Sequence, residues 1–266
     1  MEQIKEAIVL AGGLGTRLRS AVPELPKCLA PVGGRPFIGF VTDYFRREGI
    51  EKFIFALGYK NSYFDDFFRT AFPGGGYEIS LENEPLGTGG AIRQACGLAK
   101  EKTVLILNGD TFFRIGLEAL SDFHEDRKAH CSLCLKPMRD FDRFGVVELG
   151  EGERVSRFRE KQYYRAGLIN GGVYALNREA FLGEEWPRVF SFEKDYLEGS
   201  AGGARAGELS GGQRAGDLSG GGDRADGSVG PAAGRRLFGL VQENYFIDIG
   251  IPEDYRRVQE EFNNLL

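Results

Sequence analysis

No stretch of this 266-residue chain is apolar for long enough to cross a membrane. Met1 to Lys5 is polar and runs straight into an apolar run, so it lacks the basic, apolar and cleavage regions of a signal peptide. An excess of positive charge is missing as well. The 34 Lys and Arg face 39 Asp and Glu, a net charge of −5. That balance argues against a nucleic-acid polymer as partner and leaves only a local basic pocket for a phosphorylated small molecule. Cysteines number four, and Cys131 and Cys134 form the one CxxC spacing, with His130 beside them. A zinc site needs about four ligands, and no second cysteine pair exists. The spacing therefore fits a buried apolar strand, Cys131 to Leu135, better than a metal or redox centre. Without an export signal, reduced thiols in the cytoplasm are the expectation. The rest of the composition, 42% hydrophobic and 27% charged, is ordinary for a globular chain and supports a sizeable core.

The order of elements points to fold class. Glu6 to Ala11 is a short apolar run ended by Gly12-Gly13, the pattern of a buried parallel strand feeding a glycine loop. Phe37 to Glu48 has helical apolar spacing and is stopped by Gly49. Lys52 to Leu57, Glu78 to Glu82 and Thr103 to Leu107 read as strands; Ser62 to Thr70 and Thr88 to Lys100 read as helices. Such alternation predicts a doubly wound, Rossmann-like α/β sheet with helices on both faces. In that architecture ligands bind beyond the carboxyl ends of the strands. The glycine loop and Asn108-Gly109-Asp110 both lie at such ends and can face one crevice.

After Ala129 the pattern is more β-like, with strands expected at Cys131 to Lys136, Gly145 to Leu149, Val155 to Glu160 and Leu168 to Leu176. The sheet is thus expected to be mixed. Phe192 to Leu197 reads as helical. Residues 199–236 are rich in Gly, Ala, Ser and Arg, with a near-repeat starting at Arg205 and again at Arg214. That stretch has almost no aliphatic content, so it is expected to be a disordered insertion within a single domain spanning 1–266. Residues 1–128 would form one half of it, and 129–198 with 237–266 the other.

The chemistry starts in Leu10-Ala-Gly-Gly-Leu-Gly-Thr-Arg-Leu18. Gly12, Gly13 and Gly15 permit a tight turn whose N–H groups can cradle an anion. Arg17 adds a forked cation, and Lys27 follows Pro26. Together these make a triphosphate receptor in physical terms. A Walker A loop, GxxxxGK[ST], is not present, and the sixth position of a GxGxxG fingerprint is Leu18. Asp110 follows an apolar strand, and Asp248 sits between apolar neighbours in Phe246-Ile-Asp-Ile-Gly250. Either aspartate alone reads as a turn or cap residue; as a pair they suit magnesium, which is held by one or two carboxylates plus substrate phosphates.

The glycine loop with Pro26-Lys27 resembles the signature of the sugar-nucleotide pyrophosphorylases. The resemblance covers residues 6–198 and resumes over 237–258. Further stretches resemble the branch that guanylylates D-glycero-D-manno-heptose 1-phosphate: Glu84 to Ile92, Leu107 to Phe113, Asp140 to Gly145, Gly167 to Tyr174, Phe190 to Glu193 and Tyr245 to Tyr255. The resemblance implies a glycosyltransferase-A-like nucleotidyltransferase fold, with 1–128 as the nucleotide-binding half and 129–198 with 237–266 as the sugar-phosphate-binding half, and a role for each matching position. Leu10, Gly12, Gly13, Gly15 and Thr16 would hold the nucleotide, and Arg17 the leaving pyrophosphate. Lys27 would bridge phosphates of both substrates, and Asp110 and Asp248 would coordinate Mg²⁺. Pro85, Gly87 and Thr88 would lie on the nucleotide side. Gly145, Glu160, Lys161, Asn170 and Gly171 would grip the sugar and its phosphate.

Glu82 stands where uridine- or thymidine-selective relatives carry Gln. A carboxylate only accepts hydrogen bonds, and guanine offers two adjacent donors where a pyrimidine offers one. Glu82 therefore favours GTP. The expected partners are GTP or another NTP and a sugar 1-phosphate, in the cytoplasm, with no nucleic acid and no membrane; a homo-oligomer is compatible with the sequence. Alternatives are guanylylation of mannose 1-phosphate, thymidylylation of glucose 1-phosphate, and a non-catalytic regulatory subunit of the same fold. A lipopolysaccharide or other glycan product is implied by resemblance alone. The aromatics Phe64, Phe67, Phe68 and Phe72 are expected in a core or subunit contact rather than stacked on a base.

Overall fold

The computed structural model describes residues 3–13, 18, 22, 25–58, 61–201 and 234–265. Its centre is a seven-stranded sheet made of β1 (Glu6–Leu10), β2 (Lys52–Leu57), β3 (Tyr77–Leu81), β4 (Thr103–Asn108), β5 (Cys131–Phe141), β6 (Tyr164–Asn177) and β7 (Leu237–Val241). The strand order is β7-β5-β6-β4-β1-β2-β3. Strands β3, β2, β1 and β4 run parallel, β6 is antiparallel to both β4 and β5, and β7 is parallel to β5. The sheet is therefore mixed, as expected.

The apolar strands β1, β2 and β4 are buried on both faces because their alternate side chains serve two cores. Ala7, Val9, Phe53, Phe55, Leu105 and Leu107 join one cluster, with Phe37 and Val41 from helix α1 (Phe37–Arg47) and Phe67 and Phe68 from α2 (Asp65–Ala71). Ile8, Ile54, Val104 and Ile106 point the other way, toward Ala91, Ile92 and Ala95 of α3 (Gly87–Cys96) and toward Phe192 and Tyr196. The doubly wound architecture follows directly from this two-sided burial. Phe64, Phe67, Phe68 and Phe72 lie in the first cluster around Phe55, and Phe68 stacks on Tyr77 with ring centres 4.5 Å apart.

Cys131 and Cys134 lie three positions apart in β5 and fall in opposite clusters. Burial pushes both thiols far above their ordinary range. That geometry excludes a shared metal ion or a disulfide between them. Cys28 and Cys96 are buried and free as well.

Four elements differ from expectation. β5 and β6 run several residues further than their apolar cores, because each supplies the other's hydrogen-bonding partner out to Tyr164 opposite Phe141. The helix at Phe192–Glu198 is a π-helix, its N-terminus capped by the Ser191 hydroxyl accepting from Lys194 N. α3 opens at Gly87 and stops at Cys96, short of Lys100.

Most of the 199–236 stretch lies outside the described residues, but its two ends are visible. The Arg235 guanidinium donates to Ser200 Oγ at 2.7 Å and forks onto both Glu184 oxygens. Its guanidinium carbon sits 4.7 Å from the ring centre of Trp186 and 5.0 Å from that of Tyr196. Departure and return of the chain are thus fastened at one point.

Candidate active site

The carboxyl ends of β1 and β4 meet as their register demands, with Leu10 opposite Asn108. Gly109 N donates to Leu10 O at 2.9 Å, and a Cβ on Gly109 would come within 2.8 Å of that same oxygen. Only glycine permits this approach, and it holds the 108–110 turn against the loop after β1. Gly12 packs between Gly58 N and Glu82, its added Cβ 3.0 Å from the first and 3.5 Å from Glu82 Oε1. Gly13 faces open space. Gly15, Thr16 and Arg17 lie outside the described residues.

Asp248 arrives from the far end of the chain through a two-stranded ladder. Phe246–Asp248 pairs antiparallel with Thr111–Phe113, placing Asp248 opposite Thr111, and Ile249 N donates to Asp110 O at 3.1 Å. The two aspartates are neighbours for that reason. Lys27 comes from a 3₁₀ turn, Lys27–Leu29, anchored by buried Cys28 and Leu29. Its ammonium lies 2.5 Å from Asp110 Oδ2 and 3.4 Å from Asp248 Oδ1. Asp248 Oδ1 also accepts from Gly250 N at 2.6 Å. Burial, and then the charge of Asp110, raise the Asp248 carboxyl above the ordinary carboxylate range, with Lys27 opposing. The two acidic side chains therefore share one small space at the strand ends.

That space opens into a cleft of about 640 Å³, within the range of small-molecule sites. Lys27, Asp248, Gly145, Glu160, Lys161 and Asn170 all line it. Asn170 is aimed by a bulge in β6, where the register with β5 shifts between Asn170 and Tyr174. Asn170 Nδ2 donates to the buried Tyr174 hydroxyl at 2.8 Å, and its Oδ1 accepts from Gly172 N at 3.1 Å. Gly171 turns away from the cleft. A Cβ there would strike the Phe113 ring and lie 2.9 Å from Cys134 O. Gly172, at φ +70°, takes the lining position instead. Asn170 and Gly172, two positions apart, thus share the face toward the cleft, and Gly171, which the resemblance had placed at the sugar, lies on the other.

On the nucleotide side, Glu82 Oε2 accepts from Leu86 N at 2.9 Å, which fixes the carboxylate near Gly12. Gly87 and Thr88 serve the contact between α3 and the π-helix. Gly87 is at φ +71° with its Cα against the Phe190 carbonyl. Thr88 Oγ1 donates to Glu193 Oε2 at 2.7 Å and accepts from Phe192 N at 2.8 Å. Pro85 is exposed on the connection between them.

Sequence reasoning assigned no role to Arg143, Tyr174, Glu193, Lys194 or Glu198, yet all five line the cleft. Burial, followed by the charge of Glu160, raises the Glu198 carboxyl. Arg143 pairs with Asp254. No group of three or more His, Cys, Asp and Glu side chains is placed to hold a metal among the described residues. None of the helices described is long and apolar enough to cross a membrane.

Residues 6–264 match the family model described as Nucleotidyl transferase. The chain is 38% identical to the D-glycero-alpha-D-manno-heptose 1-phosphate guanylyltransferase of Aneurinibacillus thermoaerophilus, over 98% of this chain and 100% of that protein. The enzyme of the same description from Campylobacter jejuni is 37% identical, over 94% and 96%. Among solved structures, HddC from Yersinia pseudotuberculosis superimposes with a TM-score of 0.78 at 29% identity, covering 97% of this chain and 100% of that one. Its complex with GMP-PN gives 0.76. By its sequence, its sheet and the matched length, this chain belongs to the nucleotidyl transferase family.

Proposed function

We propose that the chain transfers GMP from GTP to D-glycero-D-manno-heptose 1-phosphate, releasing pyrophosphate and forming a GDP-heptose. The similarity to two heptose 1-phosphate guanylyltransferases over nearly the full length supports the substrate pair. The observation that carries the chemistry is the meeting of Asp110 and Asp248 on the Lys27 ammonium, with Lys27 and Asp248 lining the cleft.

An oxygen of the sugar phosphate attacks the α-phosphorus in line. The new bond joins that oxygen to phosphorus; the bond to the β-phosphate oxygen breaks, and pyrophosphate leaves with the electron pair. The attacking oxygen is ionised at neutral pH, so no general base is needed. Catalysis then consists of positioning and charge stabilisation. Asp110 and Asp248, two hard oxygen ligands brought to one half-buried space, would hold a magnesium ion together with substrate phosphates. When bound, the ion would neutralise charge on the crowded phosphates. Lys27 would supply a further cation at the phosphates, and Arg17 the pyrophosphate contact. Glu82 would accept from the guanine N1–H and N2–H. Asn170, Glu160 and Lys161 would orient the sugar phosphate from the cleft wall, with the product destined for a lipopolysaccharide or related glycan.

The test is pyrophosphate release measured across a matrix of GTP, UTP and dTTP with heptose, mannose and glucose 1-phosphates. Highest kcat/KM for GTP with the heptose is expected. Asp110→Asn should lose at least about a hundredfold in turnover, a loss typical of removing an electrostatic stabiliser, with an unchanged circular dichroism spectrum. Full activity in that variant refutes its role.

A further inference from the structure

We propose that Lys27 holds the place of the divalent cation in the metal-free protein, and that metal entry transfers its ammonium to the substrate phosphates. The inference rests on the metal assignment of Asp110 and Asp248 made above. The Lys27 side chain is only 15% exposed, and its ammonium sits 2.5 Å from one carboxylate and 3.4 Å from the other. It occupies the position from which a single cation reaches both. The carboxylates need such a partner, because two like charges that reach one ammonium from a half-buried site repel each other.

Among the described residues, the ammonium has room to move toward the cleft. The Lys27 backbone is fixed by the preceding Pro26 and by burial of Cys28 and Leu29, so only the stem can swing. Gly250 blocks the side toward the loop after Asp248: a Cβ there would lie 3.0 Å from the ammonium and 2.6 Å from Asp248 Oδ1. The open side is the cleft, whose wall Lys27 already forms together with Lys161 and Asn170. A divalent ion between the two aspartates would repel the ammonium at contact distance and push it that way. The freed cation then stands where a sugar phosphate enters.

Two consequences follow. Metal binding without substrate is weakened by competition from Lys27, and metal binding strengthens capture of a phosphate by the same residue. The two events are linked through one side chain, so each favours the other to the same degree.

The experiment titrates Mn²⁺, a paramagnetic substitute for magnesium, into nucleotide-free protein and reads free Mn²⁺ by electron paramagnetic resonance. Lys27→Met keeps the stem and removes the charge; Lys161→Met removes a cleft charge that does not touch the aspartates. Lys27→Met should bind Mn²⁺ about tenfold more tightly than wild type, as expected when a competing charge-assisted pair is removed, and Lys161→Met should stay within about threefold. If Lys27→Met is unstable when stripped with a chelator, a gain in Tm on adding Mn²⁺ that exceeds the wild-type gain supports the same conclusion. Equal or weaker Mn²⁺ binding by folded Lys27→Met overturns the inference, as does an equal gain in Lys161→Met, which would reveal a general charge effect. Asp110→Asn that binds Mn²⁺ as well as wild type overturns the metal assignment itself, and this inference with it.

Discussion

Acid should destabilise this protein through one imidazole. The chain has only two histidines, His124 and His130, so their contribution can be isolated. His124 lies on the helix Leu117–Asp126, is 5% exposed, and its Nδ1 sits 3.0 Å from Ser132 Oγ in β5. Its Nε2 is buried with no hydrogen-bond partner among the described residues. Burial, reinforced by the charges of His130 and Lys102, lowers its pKa from 6.5 to about 4. The unfolded chain therefore takes up a proton on this ring near pH 6.5, whereas the folded chain refuses it until about pH 4. Stability from this group is complete above pH 6.5 and is lost as pH falls toward about 4. At about 1.4 kcal/mol per pH unit, the full gap is worth roughly 3 kcal/mol. Urea denaturation at half-unit steps from pH 7.5 to 4.5 measures it. The wild-type slope between pH 6 and 5 should approach ~1.4 kcal/mol per unit from His124, with a smaller addition from His130, whose pKa is lowered in the same direction by burial. His124→Gln should flatten that slope, and the variant carrying His130→Gln as well should lose its histidine component altogether. An unchanged slope in the doubly substituted protein would assign the acid sensitivity to carboxylates and refute the reasoning.

Three further outcomes are expected. Tyr174→Phe removes the acceptor for Asn170 Nδ2, so Asn170 loses its fixed aim; the KM for the sugar 1-phosphate should rise by about three- to tenfold with little change in kcat, measured by pyrophosphate release. Gly87→Ala adds a methyl group at φ +71° against the Phe190 carbonyl, and should cost roughly 2–4 kcal/mol, seen as a Tm lower by several degrees. Glu82→Gln swaps an acceptor for an amide donor beside the nucleotide loop, and should lower the kcat/KM preference for GTP over dTTP by about tenfold, with unchanged preference counting against a base contact.

The inner parallel strands β1, β2 and β4 were legible because they are short, apolar on both faces and closed by glycine or Asn-Gly-Asp. Periodicity alone marks such runs, and the rule that ligands gather at strand ends then locates the crevice. The meeting of Asp110 with Asp248 was inferred through resemblance; its physical cause, the ladder between Thr111–Phe113 and Phe246–Asp248, rests on strands of three residues that no window detects. The cleft wall was harder still. Arg143, Glu193 and Glu198 are charged residues in ordinary surroundings, and only the fold shows that they face inward. Gly171 was placed at the sugar by resemblance, whereas the two-residue alternation of the strand puts Gly172 on the cleft side with Asn170. Thr88 illustrates a different limit. Its position in a glycine-rich turn suggests contact with nucleotide, while its hydroxyl is taken up by Phe192 N and Glu193, joining the two halves of the site.

The Arg235 fastening bears on how such a chain can be altered. With Ser200 and Arg235 hydrogen-bonded to each other, the polypeptide between them begins and ends at one spot, so its length is not set by any distance it must span. Loop-closure entropy rises only slowly with length, so residues can be added or removed there at little thermodynamic cost. That makes the junction a natural place to graft a purification tag, a fluorophore or a tether to a second enzyme, provided Glu184, Ser200 and Arg235 are left in place.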